Sequence, residues 1–153
     1  MGAPAADPKK KPSRIQLRNR KRILDAALAD LVVSGIGEGP VIPHLAKFGL
    51  SGFTSGSVCV APHRSDAIRR ALLAGDIAEA SALREAFLPL EALRDEFSPI
   101  LVLHHAVALA GIVDTGTPAP FLAPLTAPDL LHRIERAARV LADLDRDTAR
   151  AVA

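Results

Sequence analysis

The chain has no tryptophan and no tyrosine, and five phenylalanines are its only benzenoid side chains. Without tyrosine, no phenolic proton relay can come from within it. A single cysteine, Cys59, excludes an internal disulfide framework and predicts a reducing, cytoplasmic setting. No apolar run reaches the roughly 18 residues of a membrane span. The best stretch, Ile100 to Val113, is broken by His104 and His105, so no membrane partner is expected. Residues 1–12 lack the apolar core of a secretory signal. Ala6 stands where N-myristoylation needs Ser or Thr.

What is present suits one globular domain: 153 residues, 49% of them hydrophobic and 24% charged. The net charge of +2 hides an asymmetry. Residues 1–22 hold eight basic residues and one acid, a net of +7, so the remainder sums to −5. Residues 1–22 therefore read as a basic arm, disordered over residues 1–13, where three prolines and a lysine run leave nothing to pack. Residues 9–22 are the candidate for non-specific binding of nucleic acid, which would be strongly salt-dependent. The alternative is a solvated tail. Arg18 to Leu28 resembles the first helix of TetR-type repressors, but a strand and glycine loop follow where a recognition helix would be needed.

Helical spacing is expected from Arg14 to Asp30. Leu31 to Ser34 reads as a buried strand running into Gly35-Ile36-Gly37. Pro40 to Phe48 predicts a short helix closed by Gly49, and Leu50 to Ser55 a second strand. Strand, loop, helix, strand is the rhythm of parallel βα units. After Pro62 the pattern is helical. A helix from Arg64 to Ala74 stops at Gly75, and Asp76 with Glu79 forms a capping-box pattern. Ile77, Ala80, Leu83, Phe87, Leu90, Leu93 and Phe97 then make one apolar stripe on a helix kinked at Pro89. Ser98-Pro99 opens another helix to Gly111. A proline-rich crossing, Thr115 to Leu125, leads to a last amphipathic helix reaching about Leu144. The domain division read from this is 1–22 arm, 23–62 strand-bearing segment and 63–153 helical module.

Val33-Ser-Gly-Ile-Gly-Glu38, followed by the run from Phe48 to Pro62, resembles the last two barrel strands of the dihydrodipicolinate synthase/N-acetylneuraminate lyase family. Ala71 to Ala80 is similar to that family's helix pair around an Ala-Gly-Asp turn. Val107 to Gly111 and Pro118 to Leu125 resemble its later helix and its proline-rich approach to the final helix. The resemblance covers roughly Leu31 to Leu144. It implies an α/β fold, mostly helical by content: the last two βα units of a TIM (β/α)₈ barrel, followed by a helical C-terminal module. It further implies a lineage of lyases, aldolases and dehydratases that form a Schiff base between a lysine and pyruvate or another 2-keto acid, with no cofactor.

The departures from the family pattern bear on activity. The resemblance places the Schiff-base lysine at the end of the sixth strand, before residue 14. Here the lysines are Lys9, Lys10, Lys11 and Lys21 in the arm, and Lys47 in the short helix. The family's relay tyrosine has no counterpart. The chain is therefore expected to be a truncated member, a pseudoenzyme when alone. Completing it would take a complementary barrel half, and a 2-keto acid ligand only then; self-association or a scaffold role is the other expectation, since exposed strand edges favour association.

Carried over from the resemblance is the rim of the substrate pocket, at the C-terminal ends of strands. It comprises Gly35, Gly37 and Glu38 after the seventh strand, and Thr54, Ser55 and Gly56 after the eighth. Glu38 has a second reading, as an exposed loop carboxylate capping the Pro40 helix. Ser55 and Ser57 lack a nucleophile-elbow context and read as loop or strand-end hydroxyls. Cys59 reads as a small buried residue. His104 and His105, adjacent on a helix, point apart and do not form a metal site.

Overall fold

The computed structural model describes residues 15, 17–21 and 33–152. The chain divides into two units, residues 1–32 and 33–153. In the first, residues 15 and 17–21 are helical and exposed. The rest of the expected 14–30 helix, with residues 1–14, lies outside the described residues.

The second unit begins with β1, Val33–Ser34, which pairs in parallel with β2, Gly52–Phe53. Val33 lies opposite Gly52 and Ser34 opposite Phe53. Parallel pairing agrees with the βα rhythm; among the described residues each strand contributes two residues, and Leu31 and Val32 of the expected first strand lie outside them. Beyond the strands, Thr54 donates its N–H to the Ser34 carbonyl at 2.7 Å and Gly37 donates to the Thr54 carbonyl at 3.1 Å. The alternation is inverted from a simple apolar-in pattern. Ser34 is buried and its Oγ lies 2.7 Å from His44 Nδ1, while Val33 is 40% exposed.

Between the strands, residues 41–47 are helical and end in a π-helical turn, Pro43–Lys47. Pro43 has no N–H to give to the Gly39 carbonyl. Arg84 Nε takes that carbonyl instead, at 2.5 Å. The wider turn closes with Phe48 donating to the Pro43 carbonyl, and Gly49 stops it at φ +69°.

A single 3₁₀ turn, Ser57–Cys59, leads into α1, Pro62–Leu73. Gly75 at φ +77° ends it, and Asp76 caps α2, Ile77–Glu85, by accepting the Glu79 N–H at 2.9 Å. Asp76 gives its own N–H to the Ala71 carbonyl, so only the Asp76 half of the capping box forms. The expected kinked helix is in fact two, α2 and α3, Leu88–Glu96. Pro89 cannot donate to the Glu85 carbonyl, and the chain turns at Phe87, whose N–H closes on Arg84. Next, α4, Pro99–Leu109, starts at Ser98, whose side chain accepts from Leu101. The last helix, α5, Pro128–Val152, runs past the expected Leu144 end. Arg146 with Asp143 and Arg150 with Asp147 pair along that extension.

The core is built by the helices. Phe87, Ile68, Leu90, Ile134, Leu141 and Val102 are fully buried. Of the apolar stripe, residues 80, 83, 87, 90 and 93 face inward, whereas Ile77 is exposed. Gly56 lets the turn after β2 press on α4, because a Cβ there would collide with Leu103 Cδ1. The second unit is thus mainly helical, with one short parallel strand pair. No helix among the described residues is long and apolar enough to cross a membrane.

Candidate functional site at the strand ends

The loops following β1 and β2 lie side by side, as parallel pairing requires. Gly37, with φ +92°, bonds across to Thr54, and Gly35 would place a Cβ 4.0 Å from Thr54 Oγ1. The structure therefore brings Gly35, Gly37 and Thr54 together.

Glu38 is fully buried, which overturns its reading as an exposed loop carboxylate. Its Oε2 accepts from Ser55 Oγ at 2.5 Å and its Oε1 from Ser65 Oγ at 2.7 Å. Burial pushes the Glu38 carboxyl above the ordinary range, and the facing Glu91 charge adds to this. The two serine bonds act in the opposite direction. Glu38 is a buried acid whose reach into solvent passes through serine hydroxyls.

Ser55 and Ser65 also line an open cleft of about 340 Å³, with Phe53, Thr54, Val58, Pro62, Asp66 and Arg69. Arg69 is held by Asp66, its Nε 2.9 Å from Oδ1. Ser55 accepts from the Val58 N–H at 3.3 Å while donating to Glu38. With its proton given to Glu38, Ser55 has acceptor capacity and no donor to offer a group in the cleft while Glu38 is ionised.

A second carboxylate is buried beside Glu38. Glu91 of α3 is buried and accepts the Gly39 N–H at 2.8 Å through Oε2. Its Oε1 accepts from Ser57 Oγ at 3.0 Å and from Arg94. Ser57, read as a strand-end hydroxyl, is fully buried in this network. Arg94 Nε is buried without a hydrogen-bond partner among the described residues.

Sequence reasoning did not find Ser65, Glu91, Arg84 or Arg94. Two signals were available. Ser65, Ile68 and Ala71 step along one buried face of α1, where a serine among apolar residues asks for an acceptor. Glu91 and Arg94 are three apart on α3, beside Leu90 and Leu93.

Cys59 is exposed, contrary to the buried reading. Its Sγ donates to the Gly56 carbonyl at 2.8 Å, and local desolvation pushes the thiol up. Lys47 is exposed, 5.7 Å from the centre of the Phe48 ring. The His104 and His105 rings are perpendicular and tie down the proline-rich crossing. His104 Nε2 lies 3.0 Å from the Gly116 carbonyl, and His105 Nε2 accepts from the Leu125 N–H at 3.2 Å. Burial, with His104 adjacent, lowers the His105 pKa. The described residues contain no group of three or more His, Cys, Asp or Glu able to hold a metal ion.

The order of strand, glycine loop, strand and helical module has a counterpart. Residues 15–137 match the model of the dihydrodipicolinate synthetase family. The chain belongs to that family. The match starts at residue 15, inside the segment read as a basic arm, and carries through the proline-rich crossing into α5. No significant match to a curated protein or to a solved structure was found.

Proposed function

We propose that this dihydrodipicolinate synthetase-family chain supplies the closing strands and helical module of a (β/α)₈ barrel from the pyruvate-dependent, Schiff-base lyase lineage. In this reading β1 and β2 are the seventh and eighth strands. Gly35, Gly37, Glu38, Thr54, Ser55 and Gly56 belong to the rim that receives the distal part of a 2-keto acid. The observation that carries it is the parallel pairing of β1 with β2, which gathers both post-strand loops around the buried Glu38. Active groups of such barrels stand at that end of the strands.

Schiff-base chemistry needs an amine whose pKa is lowered by desolvation or charge, next to a proton relay. Lys47 is exposed and the chain has no tyrosine. On this reading the amine and relay come from the first six βα units, and residues 1–153 without those units form no Schiff base. Borohydride trapping with pyruvate, read by intact mass, tests this. The chain alone gives no adduct, and mixing it with a polypeptide carrying the first six βα units gives an adduct on that polypeptide. A specific adduct on any lysine of the isolated chain, such as one that disappears in Lys47→Ala, would sink the proposal.

A scaffold role through self-association is the second reading, favoured by the exposed Val33, Ile36, Phe48 and Val58 around the strand pair. A concentration-dependent dimer that forms without the complementary half would select it. Residues 9–22 remain the candidate for non-specific nucleic-acid binding, and a duplex that shows no shift at low salt would end that idea.

A further inference from the structure

The residues on either side of Glu38 are held by the helical module as well as by the strand ends. At Gly37 a Cβ would meet Glu91 Oε1 at 2.5 Å, and at Gly39 it would meet Oε2 at 3.1 Å. The loop backbone therefore lies directly against this carboxylate with no side chain between. The Gly39 N–H bonds to Glu91 at 2.8 Å and the Gly39 carbonyl bonds to Arg84 of α2 at 2.5 Å. Glu91 also engages Ser57 in the turn after β2 and Arg94 on its own helix. One buried carboxylate thus touches both post-strand segments.

We infer that Glu91 is a positioning residue for Glu38, clamping the Gly37–Gly39 loop so that the Glu38 carboxylate meets Ser55 and Ser65 at the cleft wall. The helical module, on this inference, sets the geometry of the strand-end site. It deepens the rim reading given above, but it concerns the free chain and needs no keto acid.

The groups facing the pair are few. Glu38 is met by Ser55 after β2, Ser65 on α1 and Glu91 on α3, with Cys59 in the 3₁₀ turn within its field. Glu91 is met by Ser57, Arg94 and the backbone that Arg84 holds. Removing the Glu91 charge removes one of the causes that raise the Glu38 pKa. It also leaves Arg94 without its carboxylate, which acts in the same direction.

The test is a carboxyl-carbon NMR titration of the labelled chain, with Glu38 assigned through Glu38→Gln. The Glu38 midpoint moves down in Glu91→Gln while circular dichroism stays unchanged. In Glu91→Ala, hydrogen exchange at the Gly39 amide speeds up by about tenfold or more, as expected for loss of a charge-assisted bond. An unmoved Glu38 midpoint in folded Glu91→Gln overturns the inference. So does unfolding of Glu91→Gln, which would make Glu91 a residue of the core and not of the loop. Failure of the keto-acid reading leaves these results as they are, because no keto acid is added.

Discussion

Asp145 on α5 accepts the backbone N–H of Arg64 on α1 at 2.7 Å, across 81 residues of sequence. Helix α1 starts at Pro62, and its preceding residue, Ala61, has no side-chain acceptor to offer. The first turn of any helix leaves N–H groups unpaired, and here a distant helix supplies the acceptor. The same carboxylate holds His63 Nδ1 at 2.9 Å. Asp145→Ala removes a buried cap and costs about 1–3 kcal/mol. Urea unfolding checks this, and Asp145→Asn, which keeps one acceptor oxygen, is expected to lose less.

Gly37 and Gly75 both have positive φ, at 92° and 77°. Alanine at either is strained, by about 1 kcal/mol where there is room. Nothing lies within 4 Å of a Cβ at Gly75, whereas at Gly37 it collides with Glu91. Gly37→Ala is therefore the more damaging change, by about 1–3 kcal/mol beyond Gly75→Ala. Equal losses in a paired urea measurement would contradict the loop packing described here.

Among the described residues Phe87 is the largest fully buried side chain, and it occupies the turn between α2 and α3. Phe87→Ala is expected to cost about 3–5 kcal/mol. Val140 on α5 is 52% exposed, and Val140→Ala should stay within about 0.5 kcal/mol. Thermal unfolding of the two variants separates core from surface.

The Glu38 carboxyl is raised in the folded state, by burial first and by Glu91 in addition, against lowering by Ser55 and Ser65. Between the ordinary carboxylate value and the raised folded value, the folded chain binds more protons than the unfolded chain. Stability from this group is complete below that window and is lost as pH rises through it. The stability difference between wild type and Glu38→Gln should therefore shift against wild type as pH rises from about 4.5. A difference that is flat with pH, or of the opposite slope, would refute a raised Glu38.

Cys59 is exposed, yet its thiol is pushed up and donates to the Gly56 carbonyl. The thiolate is the nucleophile. Alkylation by iodoacetamide at neutral pH should run several-fold slower than for free cysteine, and approach it in urea. Equal rates in the folded state would mean that desolvation does not raise the thiol there.

The helical module was largely legible because period and punctuation agree there. Gly75, Asp76, Ser98 and Pro99 mark boundaries close to those observed. The break at Phe87 read as a kink, since spacing does not tell a bent helix from two helices sharing one stripe. The second strand came out shorter than the expected Leu50 to Ser55 because Gly52 contributes little side-chain packing to a two-stranded pair. At the site, the six rim positions came from resemblance, and the structure puts Glu38 and Ser55 in direct contact. Ser65, Glu91 and Arg94 stayed hidden because their meaning depends on contacts 27 to 52 residues away.

Helix α5 contributes Ile134, Ala138, Leu141, Ala142 and Asp145 to buried positions. During synthesis these residues emerge after everything they cover. A nascent chain stopped at Pro128 would hold Ile68, Phe87, Leu90 and Val102 with one wall of their enclosure absent, and α1 without its cap. The folding of this unit is therefore expected to be a late event on the ribosome, and the strand-end loops stay exposed to other chains until it happens.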